Sequence, residues 1–351
     1  MHGQDPLRVA VLGATGSVGQ RFVSLLDGHP WFRTTQLAAS PGREGQRYGD
    51  AVAWSLGSTC PEEAAALKLT RVEPRSGIDL VFSALSADIA GPVERAWAAA
   101  GALVVSNASS HRMHPEVPLC VPEVNADHLE LGHGQSFGPG TIIAGPNCST
   151  AGLVLALAPL HRRFGIRRAQ VVTMQAISGA GLRGVPAMQI AGNLLPYIPG
   201  EEDKLEREPL KILGSLEGRE IQAASFPISA TATRVPVLDG HTEVVSLALE
   251  GDPDPTAVAH ALTTFEAPPG IRALPSAPSA PVVVLEDPNA PQPRQHRDLH
   301  RGMATLVGRI RPCPILGVKF VLLSHNTLRG AAGGAVLIAE AAVAHGGLWR
   351  A

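Results

Sequence analysis

The sequence predicts an α/β protein of two domains, in which a parallel-sheet domain precedes an α+β domain. With 351 residues, the chain is longer than a single hydrophobic core usually organises. Its first part alternates short aliphatic runs with segments of helix periodicity, which is the βαβ pattern of a parallel sheet. Its later part groups several β-branched runs together, which is typical of a mixed or antiparallel sheet.

The composition restricts the class of function. A formal charge of −2 provides no basic surface for nucleic acid or for a membrane, so the expected partner is a small molecule. The four cysteines form no CxxC pair, which argues against a disulfide framework or a metal site and favours a reducing compartment. Residues 1–7 have no apolar signal core, and no stretch approaches the roughly 18 apolar residues of a membrane span. We therefore expect a cytoplasmic protein.

A glycine-rich turn follows the first predicted strand. Residues 8–12 form an aliphatic strand, residues 13–19 read G-A-T-G-S-V-G, and residues 20–26 have helix periodicity. Glycines here let the backbone turn tightly and approach a pyrophosphate, whose charge then lies at the helix N-terminus. The order of strand, glycines and helix favours a dinucleotide site over a simple tight turn. The first domain is therefore predicted to be of the Rossmann type.

The residues after the second strand bear on the choice of cofactor. This strand is predicted at residues 35–39, and an NAD-preferring site typically has a carboxylate near its end. Ser40 and Arg43 stand here instead, and they offer a hydroxyl and a guanidinium to a 2′-phosphate. The pattern favours NADP. The alternative is that Arg43 is a solvated loop charge, since Glu44 lies beside it.

Two further strands bring polar groups to the same edge of the sheet. They are predicted at residues 79–84 and 103–105, with a helix at residues 92–100 between them. Ser83 lies near the end of the former strand, and the polar residues 106–110 follow the latter. Because parallel strands place their carboxyl ends at one edge, we expect a ligand crevice there.

Cys148 follows another short strand, predicted at residues 141–144. A helix is predicted from residue 151 to residue 160, with Ser149 and Thr150 as candidate caps. A cysteine between a strand and a helix lies near unpaired backbone N–H groups and a positive helix dipole, which favour the thiolate. The cysteine is therefore a candidate nucleophile. The alternative is a small buried apolar residue, the usual state of a free cysteine.

The predicted second domain contains grouped strands and two helices. The last apolar helix, at residues 331–344, is expected to pack back on the first domain. The strands are predicted at residues 169–176, 242–249, 282–285, 304–311 and 318–323, and the helices around residues 188–195 and 201–213.

Four polar residues of this domain are candidates for a site. Arg234 and His241 flank a short segment that can bring a cation and a titratable imidazole to one cleft. Glu201 and Lys204 are three residues apart on a predicted helix, so they share a face. The alternatives are a solvated charge pair and a structural histidine.

Five motifs together resemble those of the aspartate-β-semialdehyde dehydrogenase family, over nearly the whole chain. Two shorter segments, P-Q-P-R at residues 291–294 and V-G-R at residues 307–309, resemble its archaeal and fungal branch. The five motifs are G-A-T-G-S-V-G-Q-R-F at residues 13–22, P-N-C-S-T at 146–150, M-Q-A-I-S-G-A-G at 174–181, R-V-P-V-L-D-G-H-T-E at 234–243 and N-T-L-R-G-A-A-G at 326–333.

The resemblance implies an NADP-dependent enzyme that reduces L-aspartyl-4-phosphate to L-aspartate-4-semialdehyde and releases phosphate, in the pathway to lysine, threonine and methionine. It implies an NADP-binding domain at residues 1–147, a catalytic and dimerisation domain at residues 148–329, and a C-terminal helix at residues 330–351 that packs back on the former. It further implies a homodimer or homotetramer, with no metal.

The resemblance also implies roles for individual residues. Cys148 would form a thioester with the substrate, His241 would act as acid and base, and Gln175 would orient the substrate. The substrate would be bound by Arg234 at its carboxylate, by Glu201 (or Glu202) at its ammonium, and by Arg112, Asn147 and Lys204 at its phosphate. NADP would be bound by Gly13, Thr15, Gly16, Ser17, Val18, Ser40, Arg43, Ser83, Ser178, Gly179 and Asn326.

Three alternatives compete with this interpretation. N-acetyl-glutamyl-phosphate reductase shares the glycine turn but has a different cysteine motif. A malonyl-CoA reductase of the same superfamily can keep the cysteine and histidine, but a malonyl group has no ammonium for Glu201 to bind. A nucleotide-binding regulatory protein without catalytic activity is disfavoured by the joint presence of Cys148, Gln175, Arg234 and His241.

Overall fold

A six-stranded parallel sheet organises the first part of the computed structural model, which describes residues 5–346. The strands are β1 (Leu7–Leu12), β2 (Phe32–Ala38), β3 (Leu69–Thr70), β4 (Leu80–Ser83), β5 (Leu103–Ser106) and β6 (Thr141–Ala144). Their order is β3-β2-β1-β4-β5-β6, and all neighbouring pairs are parallel. The chain changes direction across the sheet between β1 and β4, which is where such sheets bind dinucleotides.

A second sheet of six strands is mixed. Its strands are β7 (Ile166–Gln175), β10 (Ile228–Arg234), β11 (His241–Leu249), β12 (Val282–Leu285), β13 (Thr305–Cys313) and β14 (Gly317–Ser324), and a separate hairpin is formed by β8 (Ser215–Glu217) and β9 (Glu220–Gln222). Their order in the sheet is β10-β7-β11-β14-β13-β12, with antiparallel pairs at its centre. The predicted fold class, a Rossmann-type domain followed by an α+β domain, is confirmed.

Helices cover both sheets. They are α1 (Ser17–Leu26), α2 (Tyr48–Ala51), α3 (Glu62–Ala66), α4 (Ala87–Ala99), α5 (Pro122–Asn125), α6 (Cys148–Phe164), α7 (Ala187–Ile190), α8 (Glu201–Ile212), α9 (Pro255–Thr263), α10 (Pro269–Arg272), α11 (Pro293–His296) and α12 (Gly333–Ala341). Strand β1 has helices on both faces, so its residues from Val9 to Leu12 are all buried.

Helix α6 joins the cores of the two sheets. Every residue from Ser149 to Leu160 is buried, because the helix is apolar on all its faces. One continuous hydrophobic cluster contains Leu12 of the first sheet, Leu155 of α6 and Val245 of the second sheet. The predicted domain boundary beside Asn147 stays a prediction. None of the helices within residues 5–346 combines the length and apolar character that crossing a membrane requires.

The end of the described chain packs on the first sheet. Val336 and Leu337 of α12 share a buried cluster with Val9 and Val11 of β1. Two π-helical segments, Leu328–Ala332 and Ala342–Gly346, flank α12. The part of the predicted C-terminal helix after residue 346 lies outside the described residues.

Several local predictions differ from the structure, among them the helix predicted at residues 92–100, which is α4 and begins at Ala87. The helix predicted at residues 188–195 is only the short α7, since Gly192 adopts a left-handed conformation (φ +67°) that ends it. Strand β10 was not predicted, because its sequence I-S-A-T-A-T-R contains few large apolar residues. Helix α9 was also missed, although Asp254 caps it by accepting a hydrogen bond from the Ala257 N–H.

Glu243 is a buried acid whose ionisation opposes folding. Its side chain lies in the central strand β11, and both carboxylate oxygens lack a hydrogen-bond partner within residues 5–346. Burial raises the pKa of this carboxyl well above its usual value, so the folded protein holds the proton to a higher pH than the unfolded chain does. The unfolded chain releases this proton above the ordinary glutamate pKa, so the folded state loses stability as the pH rises from there.

Replacing Glu243 by glutamine removes this ionisation while it keeps the side-chain size. We expect Glu243→Gln to raise the Tm by a few degrees at pH 8 and by clearly less at pH 5, because the unfolded wild-type chain is more fully ionised at pH 8. Thermal unfolding at both pH values measures this. An equal change in Tm at the two pH values would show that the carboxyl titrates normally.

Candidate active site

A cavity of about 220 Å³ lies where the carboxyl edge of the first sheet meets the second sheet. Eleven of the predicted site residues line it: Ser17, Val18, Arg112, Asn147, Cys148, Gln175, Ser178, Gly179, Glu201, Arg234 and Asn326. These residues come from both halves of the chain. The fold therefore brings the predicted nucleotide turn and the predicted substrate residues to one place.

Cys148 is the first residue of α6, and Asn147 caps this helix. The Asn147 Oδ1 accepts hydrogen bonds from the N–H groups of Ser149 at 3.0 Å and of Thr150 at 3.5 Å. The caps predicted at Ser149 and Thr150 are thus wrong by two or three residues, since both lie inside the first turn. The cap holds the half-buried cysteine at the positive end of the helix dipole.

His241 faces the cysteine sulfur. Its Nε2 lies 3.2 Å from the Cys148 Sγ, and its Nδ1 accepts the N–H of Ala176 at 3.0 Å. An Nδ1 that accepts a hydrogen bond carries no proton, so the neutral imidazole has its proton on Nε2. The imidazole therefore presents an N–H group to the sulfur.

Burial favours the neutral forms of both the thiol and the imidazole. Burial, and then the charge of Glu201, raise the pKa of the Cys148 thiol to about 12, against the opposing effect of Arg112 and Arg234. Burial and the nearby Arg234 lower the pKa of His241 to about 3. Desolvation thus opposes the thiolate that the helix dipole favours.

Glu201 is the centre of a hydrogen-bond network at the cavity wall. Its Oε2 accepts from the amides of Asn147 at 2.8 Å and Gln175 at 3.1 Å, and its Oε1 accepts from the Lys204 ammonium at 2.8 Å. Burial alone would raise the pKa of this carboxyl, but these donors outweigh it and the pKa lies below its usual value. Glu202 instead accepts the N–H of Ala232, 3.0 Å away in β10. Glu201 is therefore the carboxylate that reaches the cavity.

Two buried arginines present their guanidinium groups at the cavity. Arg234 ends β10, and its Nη1 donates to the carbonyl of Ala176 at 2.8 Å. Arg112 donates from Nε to the Gly145 carbonyl at 2.9 Å and from Nη2 to the Asn107 carbonyl at 2.7 Å. Each guanidinium keeps further N–H groups that can bind an anion.

Glu208 is a residue of this site that the sequence analysis missed. Its carboxylate binds the Arg112 Nη1 at 2.9 Å and the Asn147 backbone N–H at 2.7 Å. A signal was present, because Glu208 lies seven residues after Glu201 on a predicted helix and therefore shares its face. This spacing was not informative by itself, because the helix carries many other charged residues.

The glycine turn after β1 fits a dinucleotide pyrophosphate. Gly13 has a φ of +75°, and a Cβ there would lie 2.7 Å from the Ala84 carbonyl oxygen. Gly16 begins α1 without any side-chain cap, so the first N–H groups of this helix remain able to bind a phosphate. Ser17 and Val18 of the same turn line the cavity.

The other predicted nucleotide residues lie at different distances from the cavity. Asn326 lines the cavity, and its Nδ2 donates to the Ser178 Oγ while its Oδ1 accepts the Gly240 N–H, both at 2.8 Å. Ser40 and Arg43 are exposed after β2 and do not line the cavity. Four more of the predicted nucleotide residues do not line the cavity and lie at the carboxyl ends of β1 and β4: Gly13, Thr15, Gly16 and Ser83.

The part of the chain that the structure describes contains no group of three or more His, Cys, Asp or Glu side chains placed to hold a metal ion. The polar groups of the cavity are instead four carboxamides, three hydroxyls, a thiol, a carboxylate and two guanidinium groups. This set of groups suits the binding of an anionic organic molecule.

Family models identify the class of protein that this fold and cavity define. The model described as semialdehyde dehydrogenase, NAD binding domain, matches residues 8–131, and the one described as semialdehyde dehydrogenase, dimerisation domain, matches residues 157–329. The chain is thus an oxidoreductase of the semialdehyde dehydrogenase class.

Comparison with individual proteins narrows this class to one family. The chain is 46% identical to the aspartate-semialdehyde dehydrogenase of Archaeoglobus fulgidus, over 95% of this chain and 96% of that protein. It is 45% identical to the enzyme of that name from Candida albicans, over 95% and 97% of the two chains. The chain belongs to the aspartate-semialdehyde dehydrogenase family. The resemblance inferred from the motifs is confirmed, including its archaeal and fungal character.

Solved structures agree with this assignment. The Candida albicans enzyme with NADP superposes with a TM-score of 0.89 at 43% identity, over 97% of this chain and 99% of the other. Aspartate semialdehyde dehydrogenase II of Vibrio cholerae, in complex with ASA, has a TM-score of 0.78 at 26% identity, over 97% and 99% of the two chains.

The position of Cys148 depends on the absence of a side chain at Gly330. A Cβ there would lie 2.7 Å from the Cys148 carbonyl oxygen and 2.8 Å from its Cα and Cβ. We expect Gly330→Ala to displace the cysteine from His241 and to lower kcat at least about tenfold, with overpacking costing about 1–3 kcal/mol of stability.

The control is Gly57→Ala, at an exposed glycine with no atom within 4 Å of the added Cβ. Steady-state kinetics and thermal unfolding of both variants measure the effect. A wild-type kcat in Gly330→Ala would show that this contact does not determine where the sulfur lies.

Proposed function

We propose that this protein catalyses the reversible, NADP-dependent reductive dephosphorylation of L-aspartyl-4-phosphate to L-aspartate-4-semialdehyde. One observation carries the proposal: the Cys148 Sγ lies 3.2 Å from the His241 Nε2, beside a cavity that the nucleotide turn also lines. A nucleophile and a nucleotide-binding helix at the same cavity are what a covalent hydride-transfer reaction needs.

The first half of the reaction is acyl transfer to Cys148. The thiol gives its proton to the His241 imidazole in the tautomer whose Nε2 is free, the sulfur attacks the acyl carbon to form the C–S bond, and the C–O bond to phosphate breaks so that phosphate leaves with the electron pair. The resulting thioester is the electrophile for reduction. The backbone N–H of Cys148, at the start of α6, is a candidate donor to the oxyanion formed in both halves of the reaction.

The polar residues of the cavity match the functional groups of an aspartyl substrate. Arg234 would bind the α-carboxylate and Glu201 the ammonium, since a guanidinium and a carboxylate stand on the cavity wall. Gln175 would orient the substrate. The phosphate would be bound by Arg112, Asn147 and Lys204.

The residues around the glycine turn fit NADP. The uncapped start of α1, which follows the tight turn at Gly13, is suited to the pyrophosphate, and Ser40 and Arg43 to the 2′-phosphate. The remaining contacts would come from Thr15, Gly16, Ser17, Val18, Ser83, Ser178, Gly179 and Asn326. When bound, the cofactor supplies the hydride that reduces the thioester and accepts it in the reverse direction.

His241 would manage the proton at the sulfur. In the resting tautomer Nε2–H faces the Cys148 Sγ, which suits protonation or stabilisation of the thiolate when the C–S bond breaks. To accept a proton from the sulfur, the imidazole has to carry its own proton on Nδ1 instead of Nε2. Nδ1 then no longer accepts the Ala176 N–H. A bound anion would favour the protonated imidazole, because it opposes the charge of Arg234.

We further propose a homodimer or homotetramer that assembles through the second domain. The match to a dimerisation domain over residues 157–329 supports this. The second sheet also has a face with half-buried apolar side chains, which a second copy can cover: Val172, Met174, Val244 and Val321. The proposed place in metabolism is the synthesis of lysine, threonine and methionine.

The proposed reaction predicts phosphate-dependent oxidation of the aldehyde. We expect the purified protein to form NADPH from L-aspartate-4-semialdehyde, NADP and phosphate, and we expect Cys148→Ser to lose this activity while keeping its Tm, because serine is a far weaker nucleophile. Absorbance at the NADPH band measures the rate.

Parallel assays separate the alternatives. NAD in place of NADP tests the 2′-phosphate contact, and malonyl-CoA with NADPH tests the related reductase. Formation of NADPH without phosphate, or near-wild-type activity in Cys148→Ser, would contradict the proposal.

Arg234 offers a second test, of the carboxylate contact. Arg234→Lys keeps the charge but loses the planar fork, so we expect kcat/KM for the semialdehyde to fall at least about tenfold with the KM for NADP unchanged. The variant's Tm serves as the control for folding. An unchanged kcat/KM would refute the contact.

A further inference from the structure

One face of helix α8 carries four charged residues that extend from the cavity into the protein interior. Glu201, Lys204, Glu208 and Lys211 are spaced three, four and three residues apart, so they lie along the same side of the helix. Glu201 lines the cavity, and Lys204 forms an ion pair with Glu201. Glu208 and Lys211 are buried further along the helix. The latter two have no part in the mechanism proposed above.

Glu208 connects two parts of the site that are distant in sequence. Its Oε1 accepts from the Arg112 Nη1 at 2.9 Å, and its Oε2 accepts from the Asn147 backbone N–H at 2.7 Å. Glu208 is only 2% exposed, so both bonds are formed away from water. One carboxylate therefore sets the distance between the Arg112 guanidinium and the turn that carries Cys148.

Lys211 holds the backbone on which Arg112 stands. Its ammonium donates to the carbonyl oxygens of Arg112, His114 and Val117, each at 2.8 Å. All three ammonium protons are thus used on one short loop. Glu208 therefore holds the side chain of Arg112, and Lys211, about one turn further along α8, holds its main chain.

We propose that Glu208 is a positioning residue for the phosphate subsite, in which it aligns Arg112 with the N-terminal turn of α6 while Lys211 holds the Arg112 segment. The inference rests on the proposed function, since it concerns the group that Arg112 binds there. Glu208 does not line the cavity, so it acts through Arg112 and Asn147 rather than on the substrate.

A carboxylate is required for this arrangement because both partners need a strong acceptor. Hydrogen bonds that involve a charged group are about twice as strong as neutral ones. A buried guanidinium that loses its carboxylate partner also keeps an uncompensated charge. A glutamine at this position would accept only one of the two hydrogen bonds and would turn an N–H group toward the other donor.

The test compares Glu208→Gln with Glu206→Gln. Glu206 is a matched control on the same helix, where its Oε1 accepts the Ala230 N–H at 3.0 Å without contacting Arg112. For Glu208→Gln we expect the KM for inorganic phosphate to rise about tenfold, with the KM values for semialdehyde and NADP within about twofold of wild type. A tenfold change corresponds to about 1.4 kcal/mol. We expect Glu206→Gln to match wild type in all three.

A second readout does not depend on turnover. Inorganic phosphate should protect Cys148 from alkylation by iodoacetamide, and half-protection should need about tenfold more phosphate in Glu208→Gln than in wild type or Glu206→Gln. Lys211→Met should also raise the phosphate concentration that gives half-protection. This variant provides the test if Glu208→Gln does not fold.

The outcomes separate the two proposals. Failure of phosphate to protect the wild-type cysteine would overturn the phosphate subsite itself. Protection of wild type with the same half-protecting concentration in Glu208→Gln and Lys211→Met would overturn the positioning role and leave the subsite standing. A lower Tm with all KM values unchanged would assign Glu208 a purely structural role.

Discussion

The burial of helix α6 between the two sheets is the constraint on which the site depends. Because this helix is apolar on every face, it has to be covered from both sides, and one continuous core results. Its first residue, Cys148, then lies at the cavity between the first sheet and the second. The position of Cys148 is therefore a consequence of core packing, and Asn147 completes it by capping the helix. Close packing at Gly330 leaves the cysteine little freedom to move.

Two cations of the site are paired with carboxylates, whereas the Arg234 guanidinium donates to a backbone carbonyl. Lys204 is paired with Glu201 and Arg112 with Glu208, while burial favours the neutral forms of the Cys148 thiol and the His241 imidazole. Buried charges are stable only when they are paired and hydrogen-bonded. An anion that binds Lys204 or Arg112 therefore has to share or replace an existing carboxylate partner. This sharing makes affinity sensitive to carboxylates that never touch the substrate.

Sequence patterns were reliable where one local rule decides the structure. Five of the six strands of the parallel sheet were recognised because both of their faces are buried, which requires unbroken aliphatic runs, whereas the two-residue β3 is too short to show one. Strand β10 was missed because small and polar residues suffice beside β7, and the helix predicted at residues 188–195 was too long because Gly192 ends it. The cap of α6 was placed too late, since a cap is defined by the bond it accepts rather than by residue type alone.

The sequence by itself determined the nucleotide turn, the cysteine at a strand-to-helix junction and the membership of the family, because each is written in contiguous residues. Only the tertiary structure decided which carboxylate reaches the cavity, which nitrogen of His241 faces the sulfur, and what holds Arg112. These features depend on contacts between residues far apart in the chain, 93 positions for Cys148 and His241 and 96 for Arg112 and Glu208. Such contacts leave no periodic trace in a single sequence, since either partner alone is an ordinary polar residue on a helix or strand.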